Sequence, residues 1–327
     1  MDENVSEMTV ATNVAITPLE PVPDHLLGIR QEVNLLWYGP SQILVARDET
    51  GAIVGAIRLA FRHDPWRAHG LITDLQVDPA WRDRGVEEQL IQAAEDILRQ
   101  GGVTKIDAVI LDGQGWSSYF YRNGYWPSRK TVVMQWDLTQ LRPPYENPEF
   151  TVELLEAPDV EQTTDLVLAS YQPYWQWWKE QKEDKKWFRA EYPVAPEPPD
   201  TAELAAEMRE RVRSVVRQLV ERSDHVLFLA RHDGQPVGLC DARLATPPRE
   251  DNFAFGVLVL RDYGGKRLGS VPLGQALHWL RAHGLERAQI TTTSGLDDYD
   301  PTVYLYTLSY GGQILGEYVD LVKRKKE

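Results

Sequence analysis

The sequence predicts an α/β protein made of two copies of one unit, each a mixed, mostly antiparallel twisted sheet flanked by helices. Three observations lead there. The chain has 327 residues, a length that points to two domains, each able to bury its own core. Set against itself it matches at a shift of 182, with Val77 over Val259, Trp81 over Tyr263, Ala94 over Ala276, Leu98-Arg99 over Leu280-Arg281 and Gly102 over Gly284, and no gap. In each copy, short β-branched segments alternate with amphipathic helical stretches. A single repeat of half the chain means a duplicated domain and not a solenoid.

The elements follow in order. Residues 1–12 are polar and read as a flexible arm, ahead of a first unit over 13–140. There the stretch from Ile43 to Gly55 is a hairpin turning at Glu49-Thr50-Gly51, and another strand ends near Val77. The helix that follows carries Val86, Leu90, Ile91, Ala94, Ile97 and Leu98 on one face, and Gly101-Gly102 closes it. A strand, a short helix and a last strand complete the unit. Residues 141–149 (LRPPYENPE) are Pro-rich and polar, a linker. The second unit, 150–327, opens with an aromatic-rich stretch from Tyr171 and a Pro-rich loop over Tyr192–Pro199. A long helix follows over Ala202–Val220, with Leu204, Met208, Val212, Val215, Val216 and Leu219 inward. The hairpin from Val226 turns at His232-Asp233-Gly234, a strand ends near Val259, and Leu273, Ala276, Leu277 and Leu280 mark a helix closed by Gly284.

Composition narrows the function classes. Apolar residues are 43% and charged residues 26%, an ordinary globular balance. One cysteine, Cys240, excludes a disulfide framework and a thiolate zinc cluster and reads as a small buried residue. The seven histidines are scattered without metal-ligand spacing, so no metal is expected. The net charge is −14, divided evenly between the halves, and the only dense basic run is the tail Lys323-Arg324-Lys325-Lys326, so no nucleic-acid partner is expected. No apolar run approaches the ~18 residues that span a membrane. The acidic start MDENVSEMTV is not a secretion signal, and a cytoplasmic protein is expected.

The chemistry sits where a strand turns into a helix, at Arg82-Asp83-Arg84-Gly85-Val86-Glu87 and at Gly264-Gly265-Lys266-Arg267-Leu268-Gly269. A helix N-terminus presents unpaired N–H groups and about half a positive charge, which attract phosphate. Val77-x-Pro79-x-Trp81-Arg82-x-x-Gly85 resembles the acetyl-CoA loop of the GNAT superfamily of N-acetyltransferases, and Val259 through Gly269 resembles it too. Tyr119-Phe120-Tyr121-Arg122-Asn123-Gly124-Tyr125 and Pro301 through Tyr306, followed by Gly311, resemble the family's later F-Y-x-x-x-G-F segment. The resemblance covers nearly the whole chain as two fused units. It implies a GNAT fold for each and acetyl transfer from acetyl-CoA to an amine.

The two loops depart from the motif in complementary ways. The first keeps Arg82 and Gly85 but has Glu87 where the family has Gly or Ala, followed by Glu88. These carboxylates satisfy the helix dipole and repel a pyrophosphate, at ~0.3–1 kcal/mol each. The first unit is therefore expected to be degenerate. The second lacks the family Arg at Gly264 and a family Gly at Arg267, but keeps Gly265 and Gly269, adds charge at Lys266 and Arg267, and offers Ser270. Val259, Gly264, Gly265, Lys266, Arg267, Leu268, Gly269 and Ser270 are the expected cofactor-binding residues.

The resemblance further implies a base for the amine and a tyrosine for the departing thiolate. Asp74 stands three residues before Val77, where family members often carry an acid, but its counterpart is Gly256. Asp251, Asp298 and Asp300 are the substitutes in the second unit, with Asp298 the candidate, and Asp74 serves only if the first unit is active. Tyr306 matches the family's general acid. Tyr174, Trp175 and Trp178 lie where the family borders its acceptor cleft. They suit a wall or cation–π box for an amine, and equally the packing of helices. Two functions stay open: an N-acetyltransferase acting on a small-molecule amine, and a non-catalytic binding or scaffold protein of two decayed GNAT units.

Overall fold

A computed structural model describes residues 14–18, 38–63, 68–103, 105–111, 113, 115–155, 158–182, 201–245, 251–294 and 301–324. The first half contains strands β1 (Ala15–Pro18), β2 (Tyr38–Arg47), β3 (Ile53–His63), β4 (Ala68–Val77), β5 (Lys105–Leu111) and β6 (Trp126–Asp137), with helices α1 (Val86–Gln100) and α2 (Ser117–Arg122). The second contains β7 (Thr151–Leu155), α3 (Val160–Lys182), α4 (Ala202–Val220), β8 (His225–His232), β9 (Gln235–Arg243), β10 (Val257–Val259), α5 (Ser270–Ala282), β11 (Arg287–Ser294), α6 (Pro301–Tyr310) and β12 (Gln313–Arg324). Pairing is antiparallel throughout the described residues except for β4 with β5, which run parallel from Gly70↔Ile106 to Thr73↔Val109 and then separate.

The internal repeat survives in the backbone. Left-handed φ angles recur at the same shift: Asp74 and Gly256, Asp83 and Gly265, Gly85 and Arg267, Gly102 and Gly284. A 3₁₀ turn follows each loop strand, at Pro79–Trp81 and at Arg261–Tyr263. Both amphipathic helices bury the expected stripe, with Val86, Leu90, Ile91, Ala94 and Leu98 in α1 and Leu273, Ala276, Leu277 and Leu280 in α5 at 0% exposure. Helix α4 buries Met208, Val212, Val215, Val216 and Leu219. Leu204 departs from expectation: it lies in the first turn, ahead of that stripe, and is exposed.

The last strands are exchanged between halves. One sheet has the order β1-β2-β3-β4-β5-β12-β6-β11, and the other β10-β9-β8-β7. Strand β12 enters the first half beside β5, in a register running from Tyr318↔Leu111 to Arg324↔Lys105. Strand β6 lies between β12 and β11. The side chains follow their strands. Val132, Met134 and Trp136 of β6, with Leu138 just after it, join the core around α5 and α6, whereas Leu321 of β12 joins the core around α1. Each fully buried large apolar side chain contributes about 1.5–3 kcal/mol, so the exchange fastens the halves together. A buried polar lock sits on the same seam, where the Asp320 carboxylate accepts from Arg129 Nε at 2.8 Å and from Thr131 Oγ1 at 2.7 Å.

Candidate functional site

In the first half, β4 runs out of its parallel partner at Thr73, and the β3–β4 register slips between Ala56 and Arg58. Asp74 sits on this bulge with φ +54°. Its Oδ2 lies 3.2 Å from Arg58 Nε, and both side chains are largely buried. The carboxylate singled out as a base is thus paired with a guanidinium. Beyond Val77, Asp78 caps the 3₁₀ turn through Ala80 N at 2.8 Å, and Gly85, at φ +84°, starts α1. A cavity of about 520 Å³ opens here, lined by Ile53–Ala56, Gln76–Pro79, Arg82 and Trp116. The Arg82 guanidinium stacks 4.6 Å above the Trp116 ring.

The loop above that cavity is filled from within. Glu87 has 0% exposure, and its Oε1 accepts from the Asp83 amide at 3.2 Å. Tyr119 donates to Asp83 Oδ1 at 2.7 Å, and Arg122 pairs with Glu88 at 2.8 Å. Burial, and then the Asp83 carboxylate, push the Tyr119 phenol well above its usual range.

The second half presents the opposite arrangement. Val259 ends β10, and the chain passes through Gly264 in extended conformation, Gly265 at φ +76° and Arg267 at φ +58° into α5, with Gly269 as its cap. Among the described residues, the amides of Gly265, Lys266, Arg267, Leu268 and Gly269 have no protein acceptor, and the loop's backbone bonds resume at Ser270 N to Arg267 O, 3.0 Å. Lys266 and Arg267 are exposed, while Leu268 is buried against Phe150, Ala230 and Val237. Gly269 has no room for a side chain, since a Cβ would stand 2.9 Å from Leu305 Cδ2 and from Val257 Cγ1. Ser270 is turned away: its Oγ meets Ser309 Oγ at 2.7 Å on α6, and its carbonyl accepts from Tyr310 at 2.9 Å.

Tyr306 lies at the strand end below this loop. It is 1% exposed, its hydroxyl accepts from the Val257 amide at 3.2 Å, and Trp136 of β6 meets its ring edge-on at 5.3 Å. Burial pushes its phenol far above the usual range, so it stays protonated through neutral pH. Only glycine fits at 256, where φ is +67° and a Cβ would collide with the Tyr306 hydroxyl and stand 2.7 Å from Ile290 Cδ1.

A residue that sequence reasoning missed shapes this end. Asp241 of β9 is fully buried, and its carboxylate accepts from the amides of Ala254 at 2.6 Å, Phe255 at 2.9 Å and Gly256 at 2.8 Å, with His225 Nε2 at 3.2 Å. The available signal was a lone carboxylate in an apolar strand, Leu239-Cys240-Asp241-Ala242. Asp251 is also structural: it is 1% exposed and accepts from Gln289 Nε2 at 3.1 Å and Thr291 N at 3.0 Å. Asp298 and Asp300 lie outside the described residues. Tyr174, Trp175 and Trp178 fall on α3, and their side chains also lie outside the description. Among the described residues, no group of three His, Cys, Asp or Glu is placed to hold a metal, and no helix is long and apolar enough to cross a membrane.

Comparison with known proteins agrees with this fold. A crystal structure of a GCN5-related N-acetyltransferase from Sphaerobacter thermophilus has a similar fold, with a TM-score of 0.59 and 17% identity, over 86% of this chain and 80% of that one. A tandem GNAT protein from the clavulanic acid biosynthesis pathway matches with a TM-score of 0.56 and 16% identity, over 96% of this chain and 99% of that one. A mycothiol acetyltransferase from Propionibacterium freudenreichii is 35% identical over 74 residues, which is 23% of this chain and 24% of that protein. The family model described as the acetyltransferase (GNAT) family matches residues 15–125 and again 174–307, so the chain belongs to the GNAT family of acetyltransferases as a tandem of two units.

Proposed function

We propose that this chain moves an acetyl group from acetyl-CoA to the amine of a small molecule, with the second half (150–327) binding the cofactor and the first (13–140) supporting it across the 141–149 linker. The observation that carries this reading is the run of amides from Gly265 to Gly269, which have no protein acceptor among the described residues, with exposed Lys266 and Arg267 within that run. Backbone N–H groups at a helix start, with added positive charge, suit a pyrophosphate. Acetyl-CoA supplies the acetyl thioester. Tyr306 keeps its proton on a phenol that burial has raised, and its proposed role is to stabilise the departing thiolate by a hydrogen bond from its hydroxyl. Asp298, three residues before α6, is the proposed base for the amine, and Tyr174, Trp175 and Trp178 are the proposed wall of its pocket. The stretch matched by a mycothiol acetyltransferase supports acetyl transfer. A cytoplasmic location goes with this reading.

One observation favours the non-catalytic alternative: the four amides from Ala254 to Val257 are already taken by Asp241 and Tyr306. Calorimetric titration of acetyl-CoA into the full chain decides between them. One site per chain, lost in Lys266→Glu/Arg267→Glu, is the expected result. No heat at millimolar acetyl-CoA would leave the binding or scaffold role.

A further inference from the structure

The two loops differ at every aligned position from 82 to 88, and one of these differences bears directly on the loop amides. Glu87 of the first half corresponds, at the repeat shift, to Gly269 of the second, and Asp83 corresponds to Gly265. The Asp83 amide is taken by the Glu87 carboxylate at 3.2 Å, whereas the Gly265 amide has no protein acceptor among the described residues. Glu87 is fully buried, and among the described residues its second oxygen has no hydrogen-bond partner. A buried carboxylate oxygen without a donor is costly. It persists here because the loop and the start of α1 supply a positive potential. The carboxylate therefore stands where a bound anion would stand.

The first loop otherwise keeps the parts of an anion site. Gly85 gives the left-handed turn into α1. Arg82 and Arg84 are exposed beside it, and Arg82 lines the cavity of about 520 Å³ that opens below. Tyr119, hydrogen-bonded to Asp83, fixes the far side.

We infer that the first loop is a latent diphosphate site held shut by Glu87, the side chain acting as the loop's own anionic ligand. Removing it frees the Asp83 amide and leaves the neighbouring cavity for the rest of a diphosphate-bearing cofactor. The inference deepens the proposed function by assigning the silence of the first half to one carboxylate. It does not depend on the second half being active.

The experiment is calorimetry on the full chain with acetyl-CoA and, separately, inorganic pyrophosphate, comparing wild type, Glu87→Ala and Glu87→Gly. Either variant is expected to bind one more acetyl-CoA per chain than wild type, whatever the wild-type number is. Arg82→Glu added to Glu87→Ala is expected to abolish the gained site. A wild type with no site and a variant with one would sink the proposed function and keep this inference. An unchanged site number in a variant that melts cooperatively would overturn it. If both small replacements fail to fold, Glu87→Gln, which keeps the shape and loses the charge, carries the test. Pyrophosphate affinity at least tenfold above wild type then supports the latent site, and affinity equal to wild type refutes it.

Discussion

Lys323 holds its ammonium 2.8 Å from both carboxylate oxygens of Glu95, tying the last strand of the chain to the long helix of the first half. The Glu95 side chain is 3% exposed, and its other ionic neighbour is Arg99 at 3.8 Å. The contact exists only because β12 crosses into the first sheet. Lys323→Ala leaves a buried carboxylate with one distant partner and should cost about 1–3 kcal/mol. A denaturant midpoint within error of wild type would show that Glu95 finds another donor.

The same topology makes the first half dependent on the end of the chain. A chain ending at residue 312 lacks β12, leaving β5 with an open edge and separating it from β6. It also removes Leu321 from the core around α1. We expect this truncation to lose cooperative melting by near-ultraviolet circular dichroism. A truncated chain that retained the wild-type transition would mean that β5 and β6 pair directly.

Gly256 and Tyr306 are coupled sterically. Gly256→Ala places a methyl against the Tyr306 hydroxyl and Ile290 at a φ of +67°. The left-handed backbone costs about 1–2 kcal/mol and overpacking about 1–3 kcal/mol. Tyr306→Phe removes the obstructing oxygen and leaves the Val257 amide without its acceptor. In a double-mutant cycle, the second substitution should then cost about 1 kcal/mol less than it does alone. Strict additivity would mean that the strain lies in the backbone alone.

These relationships divide sharply by how local they are. The shift of 182 put Val77 over Val259 and Gly102 over Gly284, and the backbone repeats it at four left-handed positions, because turn geometry is encoded by neighbours in sequence. Glu87 was legible for the same reason: a carboxylate in the first turn of a helix has a known electrostatic effect. The exchange of β6 and β12 was not, since an apolar alternation such as Val132, Met134 and Trp136 does not say which half's core it fills. Nor was Asp241, whose three amide partners come from 13 to 15 residues further along the chain.

Asp241 should be intolerant of even an isosteric change. Its two oxygens together serve three backbone amides, and asparagine offers one oxygen and turns an NH2 toward the remaining donors. Asp241→Asn therefore leaves at least one buried N–H unpaired, at about 1–3 kcal/mol. Its hydrogen-exchange signature should be local, with the amides of 254–256 losing protection before those of α5. Unchanged protection at those amides would show that the turn is held by packing instead.

Stability at high pH should fall in two stages. Burial raises the Cys240 thiol, the Tyr125 phenol and the Tyr306 phenol above their usual ranges. Each group keeps its proton in the folded state and releases it on unfolding, once the pH passes its unfolded pKa. That is about 8.5 for cysteine and about 10 for tyrosine. Their contribution is therefore complete below these values and is lost as pH rises. Each adds a slope of about 1.4 kcal/mol per pH unit above its onset. Cys240→Ala should flatten stability between pH ~8.5 and ~10 and leave the steeper fall beyond it. Tyr306→Phe should reduce the slope above pH ~10 by one proton's worth. The measurement is the urea midpoint at half-unit steps of pH. Parallel curves for wild type and Cys240→Ala would mean that the thiol ionises in the folded state as readily as in the unfolded one.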